Sequence, residues 1–200
     1  GFSIVSYTGT GSLATVGHGL GVAPKVILYK NRTSGSTDWG MYHTGLGSNN
    51  SYMSINTTNA VSSSTNRFNN TAPTSSVYTI NTHATINESS SNFIAYCFAE
   101  KKGYSKFGSY TGNGNADGTF VYLGFKPAFV IFKNSTGANN WNMRDNKRNT
   151  YNPTNKNLYP NNSNAEDTAV SIDFVSNGFK LRDSADTWNG SGNTYIYMAF

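Results

Sequence analysis

Hydrophobic positions in this chain come in short bursts separated by polar stretches. The runs "VILYK" at 26–30 and "FVIFK" at 129–133 are continuous and apolar up to a closing lysine. That pattern predicts strands buried on both faces or central in a sandwich. The segment 169–183, "AVSIDFVSNGFKLRD", alternates apolar and polar residues on either side of Asn177-Gly178, which predicts a hairpin turning at that dipeptide. Two further strand-like runs, "FIAYCF" at 93–98 and "YIYMAF" at 195–200, complete the apolar inventory. Pro24 and Pro127 each stand just ahead of an apolar run, a place where a strand tolerates proline. No stretch repeats apolar residues at helical spacing for three turns, so the whole chain reads as β.

Composition points the same way. The chain holds 28 Asn, abundant Ser, Thr and Gly, and only three Glu, at 88, 100 and 166; the first four weaken helix interiors, while Tyr, Phe, Val, Ile and Thr favour strands. Two hundred residues form one large domain or two small ones, enough to bury a core without disulfides or metals. No run approaches the roughly 18 apolar residues of a membrane span, so membrane insertion is not expected. The first residues lack the basic-then-apolar layout of a signal peptide. A start at Gly1 without Met points to processing or excision. Cys97 is the sole cysteine and sits inside an apolar run, where a small buried hydrophobe is the expected role.

The chain also spells itself twice. "SYTGTG" at 6–11 returns as "SYTGNG" at 109–114, and a shift of 103 positions aligns 6–31 with 109–134 without a gap. The shift matches Tyr7 with Tyr110, Gly9 with Gly112, Gly11 with Gly114, Pro24 with Pro127, Lys30 with Lys133 and Asn31 with Asn134. Downstream, Trp39 falls opposite Trp141, and the run at 93–98 opposite that at 195–200. The chain thus reads as two internal repeats, 1–98 and 103–200. The joining residues 99–102, "AEKK", are too few for a flexible tether, so one pseudo-symmetric β domain is expected, the alternative being two closely packed small β domains. The glycines of the repeated hexapeptide predict a turn with positive φ or close backbone approach; a ligand loop is the functional alternative.

A net charge of +5 comes mostly from scarce acids. The densest cationic stretches, "EKKGYSK" at 100–106 and "RDNKR" at 144–148, are mixed with acids and read as solvated loops, with attraction to acidic polymers the lesser reading. No clustered nucleic-acid face is seen. "NGNADG" at 113–118 imitates the opening of a calcium loop through Asn113, Asn115 and Asp117, yet Gly124 stands where the bidentate twelfth ligand belongs. The repeat offers Thr10, Ser12 and Ala14 at those three places, so no metal and no cofactor is expected. His18, His43 and His83 lack metal-ligand spacing and read as ordinary hydrogen-bonding histidines. No nucleophile elbow, phosphate loop or legible carboxylate pair is present, and the chain is expected not to be an enzyme, with a polysaccharide depolymerase left open.

What remains is an amide, hydroxyl and aromatic palette suited to sugars, since flat rings stack on pyranose faces and amides bond to hydroxyls. The candidate ligand-binding residues are Trp39, Tyr42 and His43, their counterparts Trp141, Asn142, Arg144 and Asp145, and Trp188 among turn residues. Trp alternating with Met, as in Trp39-Gly-Met41 and Trp141-Asn-Met143, more often points both residues into a core.

The stretches "GFSIVSYTGTG", "VGHGLGVAPKVILYKNR", "TAPTSSVY", "FIAYCFAEKKGYSKFGSYTGNGNADGTFVYLGFKPAFVIFKN", "SNGFKLRD" and "YIYMAF" resemble a β-rich domain of unassigned activity found in virion and tail-fibre-like proteins of tailed phages, especially marine ones. The likeness covers nearly all of the chain and brings no catalytic or binding residues with it. It implies an antiparallel β-sandwich, jelly-roll or concanavalin-like, located extracellularly on a virion and often continuing beyond the equivalent of Phe200. The implied function is non-enzymatic adhesion to a host-surface glycan or envelope component, or a purely structural virion spacer or decoration. Its partners would be other virion proteins and copies of itself.

Overall fold

A computed structural model describes residues 1–168 and 171–200; Ala169 and Val170, the first pair of the alternating run, lie outside the described residues. The chain divides into two compact units, Gly1–Ile55 with Val61–Glu100, and Asn56–Ala60 with Lys101–Phe200. All strand pairs in both are antiparallel, and the fold class is all-β as expected.

The first unit contains β1 (Phe2–Thr8), β2 (Ala14–Gly17), β3 (Val26–Asn31), β4 (Gly40–His43), β5 (Ser51–Ser54), β6 (Ser62–Ser63), β7 (Val77–Ile80) and β8 (Asn92–Phe98). One sheet runs β1-β8-β3-β4-β5-β6, and β2 pairs with β7 in a second. The apolar run of β3 is interior, bonded to β8 on one side and β4 on the other. Along β8 the alternation of the strand puts Phe93, Ala95 and Cys97 inside. Ile27, Tyr29, Ala95 and Cys97 from the large sheet meet Val16, Tyr78 and Ile80 from the small one in a shared core. Two one-turn helices, α1 (Thr65–Phe68) and α2 (Ala84–Asn87), add Phe68 and Ile86 to it. A single turn is too short to show a 3.6-residue period, which is why the apolar pattern gave no sign of them.

The second unit contains β9 (Lys106–Thr111), β10 (Phe120–Tyr122), β11 (Phe129–Asn134), β12 (Asn142–Asp145), β13 (Ile172–Val175), β14 (Gly178–Leu181) and β15 (Thr194–Ala199). Its sheets run β12-β11-β15-β9 and β10-β14-β13, and Val130, Phe132, Tyr195 and Tyr197 of the first meet Phe174, Phe179 and Leu181 of the second. The order β9-β15-β11-β12 matches β1-β8-β3-β4 of the first unit, and so does the register. Tyr7 faces Phe93 where Tyr110 faces Tyr195, and Val26 faces His43 where Phe129 faces Asp145. Even the ring stacks repeat, at 5.0 Å for Tyr7 on Phe93 and 4.9 Å for Tyr110 on Tyr195.

The hairpin expected around Asn177-Gly178 forms, but its turn lies one residue upstream. Val175 pairs with Gly178, so Ser176 and Asn177 make the turn and Gly178 opens β14. Glycine is needed there for approach: a Cβ would stand 2.0 Å from the Val121 carbonyl oxygen.

Burial pushes the Cys97 thiol up to about 12 from its ordinary 9.0. The folded chain therefore keeps a proton that the unfolded chain releases above pH 9.0, and the stability this thiol contributes is lost as pH climbs from there towards 12. The expected outcome is a denaturation midpoint that falls over this window, and falls less steeply in Cys97→Ala. A colorimetric disulfide reagent at pH 8 should label native protein only as fast as it opens.

Candidate functional site

Each repeated hexapeptide closes on one asparagine. In the first unit the Tyr7 hydroxyl donates to the Ile86 carbonyl at 2.7 Å, and the Asn87 side chain accepts from the Thr10 N–H at 2.7 Å and donates to the Ser12 carbonyl at 2.6 Å. In the second, the Tyr110 hydroxyl donates to the Trp188 carbonyl at 2.8 Å, and Asn189 accepts from the Asn113 N–H at 3.1 Å and donates to the Asn115 carbonyl at 2.9 Å. Both asparagines are fully buried. The first glycine of each pair lets backbones touch, since a Cβ on Gly9 would lie 2.1 Å from the Glu88 carbonyl oxygen and one on Gly112 2.3 Å from that of Gly190. The second, Gly11 or Gly114, takes a left-handed φ of 71° or 64°. The hexapeptide is thus a clamped turn.

The loop after the central strand is closed by the repeated Lys-Asn pair. Lys30 donates to the Asn31 and Ser34 carbonyls at 2.8 and 3.1 Å, and Lys133 to the carbonyls of Asn134 and Gly137. The two asparagine side chains accept from the Thr33 and Ser34 amides and from the Thr136 and Gly137 amides. Burial pulls the Lys133 amine down to about 8.

Most of the residues proposed for sugar contact turn out to be interior. Tyr42 belongs to the first core and its ring meets Phe68 edge-on at 5.3 Å. His43 is buried, and its Nδ1 accepts from the Gly45 N–H at 2.9 Å, capping a short helical turn. Trp39 is half-buried and stacks on Tyr96 at 6.1 Å. Trp141, Asn142, Arg144 and Trp188 are buried; the Arg144 guanidinium lies 5.1 Å from the Trp188 ring centre and is pulled down to about 10 by burial, opposed by Asp167. Asp145 binds Arg148 at 2.5 Å. Burial alone would raise its carboxyl, but hydrogen bonds from Arg148 and the Lys147 amide outweigh that and hold it below the ordinary value. Tyr42, His43, Trp141, Asn142, Arg144 and Trp188 therefore pack the fold, while Trp39 and Asp145 stay partly accessible.

The calcium-like oxygens are also engaged. Asn113 Oδ1 accepts from the Asn115 amide and from Asn189, Asn115 Oδ1 from the Asp117 amide, and the Asp117 carboxylate from Lys180 at 2.9 Å. Among the described residues no three His, Cys, Asp or Glu side chains gather as a metal site. No helix among them is long and apolar enough to cross a membrane.

One recess on the second unit has the chemistry the sequence did not assign. It encloses about 380 Å³ and is lined by Lys126, Asn146, Lys147, Tyr151, Thr154 and Phe174, among others. Lys126 stands just ahead of β11 and Lys147 just after β12, and the Asn146 amide donates to the Ala128 carbonyl at 3.0 Å, tying the two segments together. The wall carrying Tyr151 is pinned as well. Asn152 exchanges two hydrogen bonds of 2.9 Å with the Phe174 backbone, and Thr154 pairs with Ile172. Tyr151 is left 85% exposed. The side-chain oxygen of Asn146 is buried with no hydrogen-bond partner among the described residues.

A family model matches residues 1–200. The chain belongs to that family, domain of unknown function (DUF7483). No curated protein and no solved structure matches it. In this DUF7483 chain the recess is marked by a difference between the units. Counting outward from the shared register, Ala23 stands where the second unit has Lys126, three residues before the central strand, and Gly45 where it has Lys147, two residues past the next one.

Replacing a buried clamp amide strands several peptide groups, each costing about 1–3 kcal/mol. Asn189→Ala is expected to lose about 3 kcal/mol in urea denaturation, while Asn164→Ala at an exposed position stays within about 0.5 kcal/mol. Equal losses in the two variants would remove the clamp from the account of the fold.

Proposed function

We propose that this chain is a non-enzymatic module of a phage virion or tail fibre that adheres to a host-surface glycan or envelope component outside the cell. The observation that carries the reading is the pinned recess of the second unit, where lysines, amides and a hydroxyl flank one solvent-facing tyrosine. Saccharide recognition uses that set, the ring against a sugar face and the polar groups on its hydroxyls. The volume is within the few hundred Å³ that small-ligand sites occupy. The recess lining includes no carboxylate, so it lacks the acid and base pair of glycoside hydrolysis, which supports adhesion over depolymerisation there. The likeness to virion domains supports the location.

We read the architecture as two homologous halves in tandem, each a small β-sandwich of jelly-roll or concanavalin-like kind. Support comes from the common strand order, the common registers and the twin clamps. A second reading is a structural virion spacer or decoration that packs with copies of itself. The interior positions of Trp141 and Trp188 favour it, as do exposed apolar side chains such as Phe2, Ile4 and Leu13.

A glycan array and a host-cell binding assay with the intact assembly test the adhesive reading; binding that is lost in Tyr151→Ala is the expected result, and two blank assays would defeat it. A defined oligomer by light scattering, together with blank assays, would instead carry the structural reading.

A further inference from the structure

Within the adhesive reading, on which the ligand class depends, the distribution of charge narrows that class. The cations around the recess fall into two groups. Arg148 and Lys156 are matched by carboxylates, Arg148 by Asp145 at 2.5 Å and Glu166 at 3.5 Å, and Lys156 by Glu166 at 3.4 Å. Lys126 and Lys147 line the recess itself, are exposed, and enter no ion pair among the described residues. Acids that could neutralise the lysines are thus already spent on their neighbours. The recess keeps two positive charges against no negative one, which favours an anion by attraction and by charge-assisted hydrogen bonds. An ammonium on a flexible stem suits a carboxylate or sulfate without demanding one orientation.

We infer that the recess takes an acidic saccharide, its carboxylate or sulfate held by Lys126 and Lys147 and its ring resting against Tyr151. A nucleic acid is the lesser fit, because two lysines at one recess do not make the basic stripe a phosphate backbone follows. The first unit has Ala23 and Gly45 at the two lysine positions and so lacks this pair.

Calorimetric titration of the full chain with tetragalacturonate, dextran sulfate, neutral dextran and a ten-residue oligothymidylate tests this. The two acidic saccharides should bind, each of Lys126→Gln and Lys147→Gln should weaken them about tenfold, and added salt should weaken them further. Tyr151→Ala should also weaken both, while Lys102→Gln, an exposed lysine elsewhere, should not, and melting temperatures should be unchanged throughout. Neutral dextran binding equally well, with both lysine variants unaffected, would overturn the acidic class and leave adhesion standing. Oligothymidylate binding as tightly as the saccharides, or indifference to Tyr151→Ala, would overturn the saccharide. No binding to any saccharide, with a blank array, would overturn adhesion and this inference together.

Discussion

In both units the peptide groups of the repeated turn, though they lie at the surface, are held by one buried asparagine amide. An amide both donates and accepts, so one side chain satisfies an N–H on one limb of the turn and a carbonyl on the other. Asn87 and Asn189 each sit at the end of a helical turn just ahead of the last strand of their unit. Holding the first turn to that point sets where the first strand meets the last, and the central strand is laid against the last in turn. The tyrosine of the hexapeptide bonds the carbonyl one residue before the asparagine. In both units this contact spans more than seventy residues of chain and ties the turn after the first strand to the segment ahead of the last.

Much of this could be seen in the order of residues, and some could not. The apolar runs at 26–30 and 129–133 become interior strands because continuous hydrophobicity needs cover on both faces. The glycines of the hexapeptide do both things their type allows, one permitting contact and the other a left-handed backbone. The clamp asparagines are two among 28 and nothing local sets them apart; burial does not either, since Asn31, Asn134, Asn142 and Asn157 are buried too, and only their partners across the chain do. Asn177-Gly178 carries a strong hairpin signal, yet the turn falls one residue earlier because the glycine must face the Val121 carbonyl. A constraint from a third strand decided the register.

The tryptophans mark the same limit from the functional side. A Trp-x-Met pattern has the period of a strand and does not say which face is wet. Trp141 and Trp188 went inside, where rings bury the most area. The recess, in contrast, joins residues 126, 146–154 and 174, pieces too far apart in the chain to form a motif. Only superposing the two registers exposes the lysines, because Lys126 and Lys147 stand where the first unit has a methyl group and a hydrogen. The two units share strand order and register, which makes Lys126 and Lys147 easy to pick out beside Ala23 and Gly45.

The clamps and the recess also differ in what they are made of. Amide and peptide dipoles carry no net charge, so the bonds that close each turn are indifferent to dissolved ions. Attraction to a pair of exposed lysines is not, and weakens as the Debye length shortens. On the proposed reading, then, added salt loosens the hold on an anionic saccharide while leaving the bonds that close each turn in place, which separates attachment from the integrity of the turns.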